Sequence, residues 1–163
     1  MKSKNRYSLP FHKKDLILAA SDPKAHFGHF KDAIDFVLPI DSELLCCADG
    51  SIVDVQTKFK SGGNDPKYEL KVNYVTIKHK NNEFSQYAHL KYKGCIKRIG
   101  DKVKKEELIG YSGNTGRSTS PHLHFQVLVL DKTPVGFHTL EPRFDEKIRI
   151  IKEPQLIKKR LNT

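Results

Sequence analysis

With 163 residues, 37% of them hydrophobic, the chain can bury one core, and no apolar run approaches the roughly 20 residues of a membrane-crossing helix. Its 29 basic and 19 acidic residues leave a net charge of +10, which suits an anionic partner such as nucleic acid, a membrane surface or an anionic cell-wall polymer. Three cysteines, Cys46, Cys47 and Cys95, exclude a disulfide framework and lack zinc-site spacing; they read as small buried hydrophobes.

The chain opens MKSKNRYSLPFHKK, basic but with no apolar signal-peptide core after it. Either the protein is not secreted by that route or a leader has been removed. ILAASD, from Ile17, reads as a short helix stopped at Asp22-Pro23. Strand candidates follow: FVLPI from Phe36, LLCCA from Leu44, SIVDVQT from Ser51, NYVTIKHK from Asn73, EFSQYAHL from Glu83, ELIGYSG from Glu107 and HLHFQVLVL from His122. Gly, Asn and Pro turns separate them, as at Asp49-Gly50, Asn81-Asn82 and Gly113-Asn114-Thr115-Gly116. This spacing predicts an all-β fold of antiparallel sandwich or barrel-like sheets, with few or no long helices. KHKNNEFSQYAHL reads as a hairpin whose Asn81-Asn82 tip can take positive φ. Lys58 to Tyr68 reads as a surface loop and TLEPRF, from Thr139, as a final extended segment. Residues 1–150 form one expected domain, and 151–163 an expected C-terminal tail of low order.

Eight histidines are many for this length. In SPHLHF, His122 and His124 lie two apart on a strand and so face one side. In AHFGHFKDAIDF, Asp35 sits inside an apolar run, where an acid is costly unless it is paired, metal-bound or turned to solvent. Catalytic zinc takes three ligands of His, Asp or Glu type and leaves a fourth position to water. A histidine near residues 26 to 29, Asp35 and one histidine of the HLH strand supply such a set. The other HLH imidazole and His89 of YAHL are left to handle protons. HExxH is absent, so no glutamate base of the helical zinc-peptidase kind is present.

These residues resemble the LytM/lysostaphin-type zinc metallopeptidases, cell-wall endopeptidases with a duplicated hybrid motif fold. The similarity runs from about Tyr7 to Phe144. It is tightest in LIGYSGNTGRSTSPHLHFQV from Leu108, and it includes YAHL, GDKVKKEELIG from Gly100 and ADGSIVDV from Ala48. The resemblance implies Zn2+ held by Asp35, His124 and an upstream histidine, with His122 and His89 as the catalytic pair. It implies hydrolysis of peptide bonds in peptidoglycan cross-bridges or stem peptides, and an extracytoplasmic location.

The chain departs from the family in its first motif. The common His-x-Gly-x-Asp spacing would put a ligand at position 31, which is Lys31. His26, followed by Phe27-Gly28, is the preferred ligand; His29 is the competitor. Ser120 and Gln126 stand where Gly and Glu are common, and both are expected to bear on substrate preference rather than catalysis. Which of His89 and His122 is the base stays open. The alternative function is a catalytically degenerate relative that binds wall or regulates a partner hydrolase. Nucleic acid is not expected as a partner. In NYVTIKHK, Val75 and Ile77 share one face while Tyr74, Thr76, Lys78 and Lys80 share the other, which is half-buried alternation rather than a base-stacking platform.

Overall fold

The computed structural model describes residues 1–152. Fifteen strands follow in chain order. They are β1 (Lys2–Tyr7), β2 (Leu18–Ala20), β3 (Ile34–Val37), β4 (Glu43–Leu45), β5 (Gly50–Gln56), β6 (Gly62–Gly63), β7 (Tyr74–Lys78) and β8 (Glu83–Ala88). β9 (Leu90–Cys95), β10 (Lys102–Val103), β11 (Leu108–Ser112), β12 (Gly116–Arg117), β13 (Leu123–Leu130), β14 (Phe137–Phe144) and β15 (Ile150–Ile151) complete them. Among the described residues the only helical elements are single 3-10 turns, and no helix is long and apolar enough to cross a membrane.

β13 is the axis of the large sheet, whose order is β10-β5-β7-β8-β13-β3-β2-β15. One edge of β13 pairs with β8 from His124↔Ala88 to Val129↔Glu83. Its other edge is divided: β3 takes Leu123 to Phe125, and β14 takes Val127 to Leu130. Leu123, Phe125 and Val127 point inward and are fully buried, as the alternation of side chains along a strand requires. They meet Phe36, Ile77 and Tyr87 of the same sheet and Leu44, Leu90 and Ile109 of the small sheet β4-β11-β9 in one core. Tyr87 ties the layers together. Its hydroxyl donates to Leu45 O (3.0 Å) and accepts from Cys47 N (2.9 Å).

The all-β reading holds, with three parallel pairings added: β1 with β14, β2 with β15, and β6 with β12. Asn81 and Asn82 do turn the hairpin at φ 60 and 52. ILAASD is not a helix. Leu18–Ala20 is a strand between β3 and β15, with all three side chains buried. So short a segment cannot offset helix nucleation, whereas sheet pairing satisfies its backbone and buries its side chains. β1 and β9 were not among the expected strands. Lysines and a buried Glu83 obscured β1: the Glu83 carboxylate accepts from Lys4 N, Asn5 N and the Tyr7 hydroxyl. The sheet takes in Ile150 and Ile151, and residues 153–163 of the expected tail lie outside the described residues.

Cys46 and Cys47 follow β4 and are both fully buried. Burial pushes their thiols up, to about 12 and about 11, so they are inert at neutral pH. The lysine-rich stretch from Lys91 to Lys105 is partly neutralised by pairs such as Lys91–Asp41, Lys97–Glu107 and Lys105–Asp145.

Candidate metal centre and catalytic cleft

Asp35 and His124 face each other across the β3–β13 ladder, in direct register. Ile34 and Phe36 enter the core, so alternation turns Asp35 to the opposite face of the sheet. There its Oδ1 lies 3.0 Å from His124 Nδ1, 3.3 Å from His26 Nε2 and 3.6 Å from His122 Nε2. The ligand atoms of His26, Asp35 and His124 all lie within 4.8 Å of one another.

His26 reaches this point through two turns. Asp22 starts the first: its carbonyl accepts from His26 N (2.8 Å) and its carboxylate from Lys24 N (2.9 Å). Gly28, at φ +58, then opens a 3-10 turn over Gly28–Phe30, and the chain returns to β3. Ser21 Oγ pins the base of the excursion to Ala33 O at 2.8 Å. The nine-residue spacing is thus taken up by folded turns, and His26 ends 6% exposed beside Asp35. His29 goes elsewhere. Its ring packs on Phe30 (4.1 Å between centroids) and against Phe137 (5.2 Å).

His89 and His122 stand together beside this cluster, with ring centroids 4.5 Å apart. His89 follows β8 at φ 66, and its Nδ1 donates to Thr115 O at 2.6 Å. That carbonyl belongs to the glycine-rich turn, in which Gly116 has φ +82 and a Cβ would meet Val72 at 2.7 Å. His122 Nδ1 donates to Ser120 O (2.8 Å) and lies 3.2 Å from Ser118 Oγ. Both rings therefore carry their proton on Nδ1 and turn an Nε2 lone pair toward the cleft.

The charges around Asp35 are unusual. Burial would raise its carboxyl, but hydrogen bonds from His124 and His26 outweigh it and hold the group well below the carboxylate range. Burial would lower His124, yet the hydrogen bond and charge of Asp35 carry it up. Burial and then the neighbouring His122 push His89 down to about 3. Among the described residues no Lys or Arg lies in ion-pair contact with Asp35; its partners are three imidazoles.

The profile of Peptidase family M23 matches residues 29–136. The chain belongs to peptidase family M23. An uncharacterized metalloprotease of Buchnera aphidicola subsp. Baizongia pistaciae is 42% identical over 94 residues, 58% of this chain and 22% of that protein. The peptidoglycan DD-endopeptidase ShyC of Vibrio cholerae is 33% identical over 124 residues, 76% of this chain and 25% of that protein. The chain thus spans about a quarter or less of these relatives' length. Among solved structures, the catalytic domain of the antimicrobial peptidase lysostaphin from Staphylococcus simulans is 26% identical with a TM-score of 0.54. That likeness covers 74% of this chain and 83% of the lysostaphin chain.

In this M23 domain the five residues expected from the sequence converge on a cleft of about 700 Å³. Lys24, Phe27, Phe30, Asn64, Glu69 and Arg117 also line it. Arg117 pairs with Glu69 at 2.8 Å. Two imidazole nitrogens and one carboxylate oxygen are a donor set that a catalytic zinc takes, and all three residues line the cleft. His26, Asp35 and His124 could hold such an ion. Sequence reading gave Gln126 a bearing on substrate preference, but it did not foresee that Gln126 contacts His124 or that Gln86 and Thr76 continue the row from it. The signal was present, because Gln126 is two residues after His124 on one strand and shares its face.

Proposed function

We propose that this M23 domain is a zinc-dependent endopeptidase that hydrolyses peptide bonds in peptidoglycan cross-bridges or stem peptides, outside the cytoplasm where that polymer lies. The observation that carries the reading is the convergence of His26, Asp35 and His124 beside a second pair of imidazoles in an open cleft. ShyC, a peptidoglycan DD-endopeptidase by name, supports the substrate class, and the lysostaphin catalytic domain, a peptidase by name, supports peptide hydrolysis. The net charge of +10 suits an anionic cell wall.

His26 Nε2, one Asp35 carboxylate oxygen and His124 Nδ1 would hold the metal. Zinc bound there supplies Lewis acidity, which lowers the pKa of a coordinated water toward neutrality and polarises the scissile carbonyl. The protein's own groups do the rest. His122 accepts the proton of the attacking water at Nε2, the atom 3.6 Å from Asp35 Oδ1, and returns it to the leaving amine. Its Nδ1–H is held by Ser120 O throughout, so the ring does not rotate away. His89 accepts a second hydrogen bond from the same water at its own Nε2 and orients it. Thr115 O fixes that tautomer. No covalent intermediate on the protein is required.

The test is zinc content together with release of peptidoglycan fragments, wild type against His122→Ala. Both proteins should bind one zinc. Release should fall about 10²–10⁴-fold in the variant, the usual worth of a placed proton acceptor. Zinc binding without fragment release in the wild type would sink the wall-hydrolase reading and leave the metal site standing.

A further inference from the structure

We infer that Gln126 is a positioning residue for the metal centre: its side-chain oxygen accepts the Nε2 proton of His124 and keeps Nδ1 turned toward the place beside Asp35 where the metal would sit. The inference rests on the reading of His124 as a metal ligand.

Imidazole can bind a metal through one nitrogen only while the other carries the proton. A buried ring nitrogen that carries a proton needs an acceptor, and the acceptor then fixes both tautomer and ring orientation. For His124 the metal-facing atom is Nδ1, 3.0 Å from Asp35 Oδ1. With a metal on Nδ1 the proton falls on Nε2, and the atom that Nε2 faces is Gln126 Oε1, at 3.4 Å. Gln126 is only 1% exposed, so solvent is a poor substitute.

Gln126 is itself held by a row of polar side chains across three strands. The ladder pairs Gln126 with Gln86 on β8, and Gln86 with Thr76 on β7. Gln126 Nε2 donates to Gln86 Oε1 at 2.9 Å, and Gln86 Nε2 donates to Thr76 Oγ1 at 3.1 Å. Each amide has its NH2 turned away from His124 and its oxygen turned toward it. A protonated His124 Nε2 and this direction of the row require each other. Reversing the row would set the Gln126 NH2 against the Nε2 hydrogen. His26 has no equivalent support, since its Nδ1 is buried without a hydrogen-bond partner. The anchored ring of the centre is thus His124. Substrate preference, the role expected of position 126 from the sequence, does not call for an amide row that starts on a ligand's ring nitrogen.

The experiment measures zinc affinity of the full chain by competition with a chromophoric chelator, and the protonated ring nitrogen of His124 by nitrogen-15 NMR of the zinc-loaded protein. Gln126→Leu should weaken zinc binding about 10–100-fold, as loss of such a partner does elsewhere. Gln126→Glu keeps an acceptor oxygen and should bind zinc at least as tightly as wild type. The wild-type spectrum should show His124 protonated at Nε2. Wild-type affinity in Gln126→Leu, weakened binding in Gln126→Glu, or a His124 protonated at Nδ1 overturns the inference. If Gln126→Leu does not fold, the Gln126→Glu affinity and the tautomer decide it. His124→Ala separates the two levels. Zinc retained in His124→Ala removes the underlying reading of the site. Zinc lost in His124→Ala but kept in Gln126→Leu removes only the role of Gln126.

Discussion

Two histidines compete for one proposed ligand position, and the structure gives them different surroundings. His26 is 6% exposed with Nε2 3.3 Å from Asp35, whereas His29 packs on Phe30 and Phe137. Zinc that binds only the folded state stabilises it by about 2.7 kcal/mol when present at 100 times its dissociation constant. A domain of this size gains about 2–4 °C in Tm per kcal/mol, so zinc should raise the wild-type Tm by about 5–11 °C. His26→Ala leaves two protein ligands, and the zinc-induced rise should collapse to about 1 °C or less because the same zinc no longer exceeds the dissociation constant. His29→Ala should lower the Tm in the absence of zinc slightly, through aromatic contacts worth about 0.5–1.5 kcal/mol, and keep the full zinc-induced rise. The assay is differential scanning calorimetry with and without zinc. The readout is the increment within each variant, which removes any cavity effect of the substitution itself. A rise kept in His26→Ala and lost in His29→Ala would refute the assignment.

Burial lowers His79, whose ring is held by Asp49 O and Ser85 Oγ. Above the ordinary value of 6.5 the folded and unfolded forms are both neutral there and stability is full; below it the unfolded chain protonates first and stability falls. Urea unfolding from pH 7 to 5 should show stability falling as this residue's unfolded form protonates, by no more than about 1.4 kcal/mol per pH unit, and the fall should lessen in His79→Gln; equal slopes in both proteins would refute it. Tyr87→Phe strands Cys47 N and Leu45 O in the core, and denaturant unfolding should show a loss of about 2–4 kcal/mol; a loss under about 0.5 kcal/mol means the layers are not tied there. Glu83→Gln should cost about 1.5–3 kcal/mol and open β1 to hydrogen exchange, since one carboxylate serves Lys4 N, Asn5 N and Tyr7; unchanged exchange in β1 refutes the anchor.

Much of the site was legible in the chain itself. Strand alternation is a local property, so SPHLHF already set His122 and His124 on one face, and AIDF already set Asp35 opposite Ile34 and Phe36. Turn chemistry is equally local, which is why Asn81-Asn82 could be read as a hairpin tip. Register between strands far apart in sequence is not local. That Asp35 lies directly across from His124, that ILAASD joins the sheet instead of forming a helix, and that β13 divides one edge between β3 and β14 follow from which backbone groups and side chains find partners in three dimensions. The choice between His26 and His29 belongs to the same class. Sequence supplied two imidazoles within reach, and the Asp22 turn, Gly28 and the Phe137 ring decided which one faces the acid. So, too, for Gln126. Its face was fixed by spacing two residues from His124, but its partners on β8 and β7 came from cross-strand pairing, which a single strand's sequence does not encode.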